Sequence, residues 1–316
     1  MKAAVVNVPG QPPEYQMFDD PVAEAGEVLV RVRAAGLHNL VKAIAGGTHY
    51  SSAGQSRAVA GVDGVGVTPE GRRVYFVFVR KPWGTMAEVA AAPVSRCVPV
   101  PDGLGDLEAA AIVNPGISAW SSLSLRGELK KGQSALILGA TGVAGRLAIQ
   151  VARHLGAGRI VAAGRNLEAL AGADVDSVIS LNQTEDAIRE AFAAEARAGI
   201  DVVVDYTWGR PMELLLEALA RGYDVAGGHS TRIVQVGDAS GKTIALRGGT
   251  LRSIDLTMMG SGFGSVPMER ILAATPRIFE LAAAGTLKVD VEPVPLEKVQ
   301  ESWNRKTAGR RIVFTV

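Results

Sequence analysis

The 316-residue chain holds a single cysteine, Cys97. One thiol excludes an internal disulfide, and by itself it cannot build a multi-cysteine zinc site. Charge of either sign is also scarce in excess. Thirty-three Lys and Arg stand against 32 Asp and Glu, a formal net charge of +1. That balance, with no basic run, argues against a dedicated nucleic-acid binder and against a charged tail. No apolar run approaches the roughly 18 residues that a membrane span requires. The opening MKAAVVNVPG has one Lys, a short apolar patch and an early Pro. It reads as a first strand rather than a signal peptide, and the expected location is the cytoplasm. There is no internal repeat of 20–50 residues, no low-complexity segment, and no Ser-His-Asp, P-loop or metal motif.

What is present describes an ordinary globular chain. Hydrophobic residues make up 47% and charged residues 21%, as in soluble domains. The length predicts about two domains and suffices to bury a core without covalent staples. The 37 glycines point to tight turns and close backbone approaches.

The texture changes along the chain. Up to about residue 115, short strand signals alternate with Gly and Pro, which predicts a mostly antiparallel β-domain. Val28–Arg33, Val74–Val79, Met86–Ala91 and Arg96–Val100 are its clearest strands. From about 117, short apolar runs alternate with helical patterns. The runs are Ser134–Leu138, Arg159–Ala163, Val178–Leu181, Val202–Val204, Ile233–Val236 and Leu256–Met259. Leu147, Val151 and Leu155 stand four apart after the first of them, and Met212, Leu215, Leu216 and Leu219 mark a later helix. This alternation predicts βαβ units and a doubly wound parallel sheet, so the fold class is α/β. A helix at Met268–Ala284, interrupted by Pro276, and a strand at Arg311–Val316 form the tail, which fits a return to the first domain.

Gly139-Ala140-Thr141-Gly142-Val143-Ala144-Gly145 follows a predicted strand and opens a predicted helix. That is the context a dinucleotide loop requires. Gly142 lets the backbone approach a pyrophosphate, the helix N-terminus offers free N–H groups, and Gly145 allows close packing of helix on strand. The next strand ends Gly164-Arg165-Asn166. An NAD site normally places Asp or Glu there for the ribose 2′-OH. Here Arg165 offers a planar, permanently charged fork to a 2′-phosphate, unless it is merely a solvated strand-end Arg. NADP(H) is the expected cofactor.

The Gly139–Gly145 loop in its strand–helix setting resembles the coenzyme loop of the medium-chain dehydrogenase/reductase superfamily. Other segments resemble the same family in the same order. They are VLVRVRAAG at 28–36, Gly61-Val62-Asp63-Gly64-Val65-Gly66 against the family's G-H-E-x-x-G, Gly84–Glu88, Val100–Leu104, Glu108–Ala111 and Gly309-Arg310-Arg311-Ile312-Val313. Their order is that of the quinone oxidoreductase branch, and the likeness covers nearly the whole chain. It implies a GroES-like, mainly-β catalytic domain at 1–116 and 265–316, split around a Rossmann NADP(H)-binding domain at 117–264. The active site would lie in the cleft between them, and the subunit would form a homodimer. The positions that hold the catalytic metal in zinc alcohol dehydrogenases read His38, Val62 and Asn114, and the structural cysteines are missing. No metal is therefore expected. The stretch Val67–Arg72 is shorter than usual. Where the branch carries an Asn, an Asp and a Tyr, this chain has His38, Val41 and His49.

Hydride transfer draws its chemistry from the cofactor, so the protein chiefly positions the reactants. It can add a donor to the acceptor oxygen and a proton source. The candidates are His38 and Asn39, where the resemblance places the first active-site residues, and His49 and Tyr50 in the next loop. The alternatives are a hydrogen-bonded structural role for His38 and a plain surface loop for His49-Tyr50. Asn114 is expected in a turn, either touching the nicotinamide or the substrate, or capping the following helix. Three further strand ends are candidates for the cofactor: Asp205-Tyr206, Gly237 and Ser261-Gly262-Phe263. Trp303 is expected in the core, and Cys97 as a buried, inert thiol.

The expected activity is NADPH-dependent reduction of a quinone or an α,β-unsaturated carbonyl, a small-molecule substrate. Two alternatives stand beside it. One is a zinc-independent carbonyl or alcohol oxidoreductase, which would need another electrophile in place of the metal. The other is an NADPH-binding sensor with little turnover.

Overall fold

The computed structural model describes residues 1–50, 52, 57–221, 229–307 and 309–316. The chain divides into two compact units. Met1–Asn114 with Leu272–Val316 form one, and Pro115–Ile271 the other.

In the first unit a mixed sheet is built around the long strand Glu27–Gly36. Along it Val30, Val32 and Ala34 are buried while Arg31 and Arg33 face water, the period of two expected for a half-buried strand. Asp63–Val67, Val89–Pro93 and Arg311–Thr315 all pair with this strand antiparallel. The sheet continues through Arg73–Val77 to Cys97–Pro99, and on its other side ends in Val291–Pro295. Val30, Val32, Val74, Phe76, Ala90 and Ala92 pack as its core. A smaller sheet joins Glu14–Met17, Lys2–Val6 and Ala58–Val59. The strand expected at Met86–Ala91 begins later, at Val89. Met86 itself is fully buried.

Two prolines lie inside helices rather than at breaks. Asp106–Trp120 runs through Pro115, and Met268–Ala283 runs through Pro276. A proline removes one helical hydrogen bond and crowds the preceding turn. In both helices the flanking residues are buried, Ala109 to Val113 in one and Ile278, Phe279 and Leu281 in the other. Packing therefore outweighs the local penalty, and the expected interruption at Pro276 does not occur.

The second unit is a six-stranded parallel sheet. Its spatial order is Ser177–Ser180, Arg159–Gly164, Ser134–Leu138, Val202–Asp205, Thr231–Gln235, Leu256–Gly260. In order of sequence this is third, second, first, fourth, fifth, sixth, the doubly wound arrangement. The central strands are buried on both faces: Ala135 to Leu138 and Val202 to Val204 have no exposed surface. That is why they read as unbroken apolar runs without alternation. Helices Val143–His154, Glu185–Ala198 and Gly209–Arg221 connect them. Thr184 caps the second of these by accepting from the Ala187 N–H. Phe192, Met212 and Leu215 pack with Leu136, Val161 and Val203. No helix among the described residues is long and apolar enough to cross a membrane.

Candidate functional site

Register brings the ends of the parallel strands into one row. Leu138 stands opposite Ala163 and Asp205, Asp205 opposite Gln235, and Gln235 opposite Gly260. The residues immediately after that row line the carboxyl edge of the sheet, where open α/β sheets bind ligands.

After Leu138 the chain turns through Gly139, whose φ is +89°. That conformation excludes most side chains. Gly142 precedes the helix Val143–His154 in extended conformation and supplies no side-chain cap. The first intrahelical bond runs from the Arg146 N–H to the Gly142 carbonyl at 2.9 Å. The N–H groups of Val143, Ala144 and Gly145 thus precede any intrahelical partner. Together with the positive end of the helix dipole they suit a phosphate. A Cβ on Gly142 would meet only the Gly139 carbonyl oxygen, at 3.6 Å, so this side of the loop is open. Gly145 and Gly164 are crowded instead. A Cβ on Gly145 would lie 2.3 Å from the Gly139 oxygen, and one on Gly164 would lie 2.4 Å from Thr141 Cγ2. Both close approaches carry the loop over the strand ends. Ala140 lies fully buried beneath it.

Arg165 and Asn166 follow the Arg159–Gly164 strand directly, and both are exposed. The Arg165 carbonyl accepts from Asn182 Nδ2 at 2.8 Å. The Arg165 guanidinium forms no ion pair among the described residues. No carboxylate stands at residues 164–166.

The Asp205 carboxylate is buried and turned onto its own backbone. It accepts from the Thr207 N–H at 2.7 Å, the Thr207 hydroxyl at 2.8 Å and the Trp208 N–H at 3.0 Å. These bonds clamp a left-handed turn at Trp208 and Gly209, with φ of 52° and 59°. Burial nevertheless pushes the Asp205 carboxyl upward against them. Tyr206 donates its N–H to the Leu138 carbonyl at 2.9 Å, and burial raises its phenol. Gly237 passes so near Tyr206 that a Cβ would come within 2.8 Å of its carbonyl oxygen. The Ser261 N–H donates to the Gln235 carbonyl at 2.8 Å and the Gly262 N–H to Ser265 Oγ at 2.8 Å. Phe263, next in line, is half-exposed.

In the first unit, His38 sits buried at the start of the helix Asn39–Ala45. Its Nε2 lies 2.8 Å from Asp63 Oδ1. The Tyr75 hydroxyl donates to Asp63 Oδ2, also at 2.8 Å, and the Thr85 hydroxyl donates to the Asp63 carbonyl at 2.7 Å. Burial, then the Asp63 charge, pushes the Tyr75 phenol far up, so Tyr75 remains a donor. The ring of His38 therefore bonds to Asp63 and to none of Asn39, His49 and Tyr50. Asn39 is exposed. His49 and Tyr50 stack on each other with centroids 3.9 Å apart, and Tyr50 is 73% exposed. Asn114 corrects an expectation. It lies within the helix Asp106–Trp120, half-buried, and neither forms a turn nor caps the helix. Cys97 is only partly buried, with its thiol on the Pro93 carbonyl at 3.4 Å. Trp303 is in the core. No cluster of three His, Cys, Asp or Glu side chains suited to a metal occurs among the described residues.

The Asp63–Tyr75 pairing was not anticipated from the sequence. Its one local sign is an acid, Asp63, within the otherwise apolar run Ala60–Val67. The partner comes from register, since Asp63–Val67 pairs with Arg73–Val77.

Comparison with known proteins gives a consistent picture. No family model matches the chain. It is 26% identical, over 99% of both chains, to a protein of Emericella nidulans named as a probable NADPH-dependent quinone reductase, tdiC. It resembles the crystal structure of the quinone oxidoreductase of Thermus thermophilus with a TM-score of 0.77 and 26% identity, covering 100% of both chains. The quinone oxidoreductase of Pseudomonas syringae pv. tomato superposes with a TM-score of 0.85 at 22% identity, covering 100% of this chain and 99% of that one. The mixed sheet and the six-stranded parallel sheet match the GroES-like and Rossmann domains of such structures. Quinone reductases and quinone oxidoreductases thus recur among the proteins that this chain resembles.

Proposed function

We propose that the protein is an NADPH-dependent oxidoreductase that reduces a quinone or an α,β-unsaturated carbonyl without zinc. The observation that carries this reading is the loop Gly139–Gly145, folded tightly over the strand ends with Arg165 exposed beside it. Such a cradle fits a pyrophosphate at the helix start and a 2′-phosphate at the guanidinium. When bound, NADPH supplies the hydride. The chain's own groups bind and orient it: the N–H groups of Val143 and Ala144 face the pyrophosphate, and Arg165 with Asn166 faces the 2′-phosphate. Tyr206, Gly237 and Ser261 to Phe263 lie on the same carboxyl edge and serve its nicotinamide half. Asp205 contributes by holding the turn that shapes that edge.

In this reading residues 117–264 form the cofactor domain, and residues 1–116 with 265–316 the catalytic one. A conjugated acceptor suits a site without a Lewis acid, because its reduction spreads charge onto an oxygen that a hydrogen bond can stabilise. The protein acts as a homodimer joined along the Leu256–Gly260 edge strand, and in the cytoplasm, where a chain with one cysteine needs no oxidising compartment.

The test is NADPH oxidation by purified protein with a panel of 1,4-quinones, enones and simple ketones. Turnover with quinones or enones is expected. Turnover confined to simple ketones or secondary alcohols overturns the reading.

A further inference from the structure

The strand Arg159–Gly164 lies between two neighbours, Ser134–Leu138 on one side and Ser177–Ser180 on the other. Successive carbonyls of a strand turn to opposite neighbours. The last two of this strand do so. The Ala163 carbonyl accepts from the N–H groups of Gly139 and Ala140 at 2.9 Å, and the Gly164 carbonyl accepts from the Leu181 N–H on the other side, also at 2.9 Å. A straight continuation would turn the Arg165 carbonyl back toward Gly139. Instead it accepts from Asn182 Nδ2, on the Leu181 side, at 2.8 Å. The main chain has therefore rotated at Arg165, and the peptide that leaves it is held by a side chain 17 residues further on.

Two further contacts fix the same place. Thr141 of the glycine loop lies over Gly164, so that a Cβ there would sit 2.4 Å from Thr141 Cγ2. The Asn182 N–H donates to Ser180 Oγ at 3.3 Å, which seats Asn182 at the end of its own strand. The strand end that carries Arg165 is thus held by the glycine loop at Gly164 and by Asn182 at the next peptide. Arg165 is exposed, and its guanidinium has no ion pair among the described residues to direct it. An exposed arginine samples several rotamers, so the direction of its Cα–Cβ bond, which the main chain sets, decides what the guanidinium reaches.

We propose that Asn182 is a positioning residue for cofactor choice. By holding the Arg165 carbonyl it aims the guanidinium at the 2′-phosphate and so sets the preference for NADPH over NADH. This rests on the cofactor reading above, in which Arg165 meets that phosphate. Asn182 acts through the main chain of Arg165 and not on the nucleotide. The chemistry of the side chain fits this part. Its partner is a carbonyl, which only accepts, so the position needs a donor. An ionised aspartate there has no proton to give and would add a negative charge beside the phosphate.

The experiment measures dissociation constants of the full-length chain by calorimetry, with the melting temperature of each variant recorded. The ligands are NADPH and NADH, and adenosine 2′,5′-bisphosphate and 5′-AMP. The two adenosine probes differ only in the 2′-phosphate, so their ratio isolates it without hydride transfer. Asn182→Ala should weaken NADPH and the bisphosphate by roughly 3- to 10-fold, the worth of one hydrogen bond, and leave NADH and 5′-AMP unchanged. Asn182→Asp should weaken the first pair further. In an Arg165→Ala background, Asn182→Ala should make no additional difference, because the group it aims is gone. Equal losses for both members of each pair would reduce Asn182 to a plain strand-end bond and overturn the proposal. An undiminished loss in the Arg165→Ala background, or an unchanged preference in Asn182→Ala, would overturn it too. In each of these cases the Arg165 reading stands if Arg165→Ala by itself abolishes the preference. A native chain that binds NADPH no tighter than NADH removes both.

Discussion

Gly145 approaches Gly139 so closely that a methyl group on it would sit 2.3 Å from the Gly139 carbonyl oxygen and 2.6 Å from the Ala140 Cα. Both obstacles are backbone, so no side-chain rotation relieves them. Gly145→Ala should push the helix Val143–His154 off the strand that precedes it. Overpacking of this kind typically costs about 1–3 kcal/mol. A lower melting temperature and weaker NADPH binding by fluorescence titration are expected together. Unchanged values of both would mean that the loop yields easily and the contact is incidental.

Cofactor choice should rest on Arg165. It is exposed at the end of its strand, and residues 164–166 hold no acid to repel a phosphate. Arg165→Ala should weaken NADPH binding by about 10- to 100-fold, the worth of one charge-assisted contact at roughly 1.5–3 kcal/mol. NADH binding should barely move. Equal losses for the two cofactors would assign Arg165 a purely structural part.

Cys97 offers a pH-dependent reading of the fold. Burial pushes its thiol up to about 11, with Arg72 pulling weakly the other way. Only the thiolate reacts with alkylating or disulfide reagents. Burial disfavours that anion, so labelling of the native chain should be slow at pH 7 and climb steadily toward pH 11. In denaturant the thiol returns to its ordinary value near 8.5, and labelling at pH 7 should be about 100-fold faster. A native labelling rate that levels off near pH 8.5 would show that Cys97 is exposed.

Leu256–Gly260 ends the parallel sheet, with its Leu256, Met258 and Met259 side chains half-exposed. An apolar edge strand left open invites pairing with another chain. Light scattering at micromolar concentration should report twice the chain mass. A monomer there rules out the homodimer.

Much of the second unit is legible in the residues alone. Ser134–Leu138 is bounded by its own apolar run, and the glycine loop after it by turn chemistry, because both signals are local. The resemblance to a known family adds the order of the first unit's segments, which periodicity by itself does not supply. Local rules mislead at the prolines. They put Asn114 in a turn before Pro115 and break the last long helix at Pro276, where buried neighbours keep both helices intact.

The residues themselves determined that this chain would build a doubly wound sheet, carry a glycine loop at the end of its first strand and place Arg165 where an acid would select NADH. Each follows from side-chain chemistry acting within a few residues. Only tertiary structure decided what His38 meets. Asp63 is 25 residues away and Tyr75 a further 12, and nothing in either segment names the other. Antiparallel register sets Tyr75 opposite Val65, one diagonal from Asp63 on the same face, and the burial of all three polar groups leaves the shared carboxylate to satisfy two of them. Tertiary structure likewise turned the Asp205 carboxylate onto Thr207 and Trp208, because a buried acid at a strand end is stabilised by the nearest N–H groups.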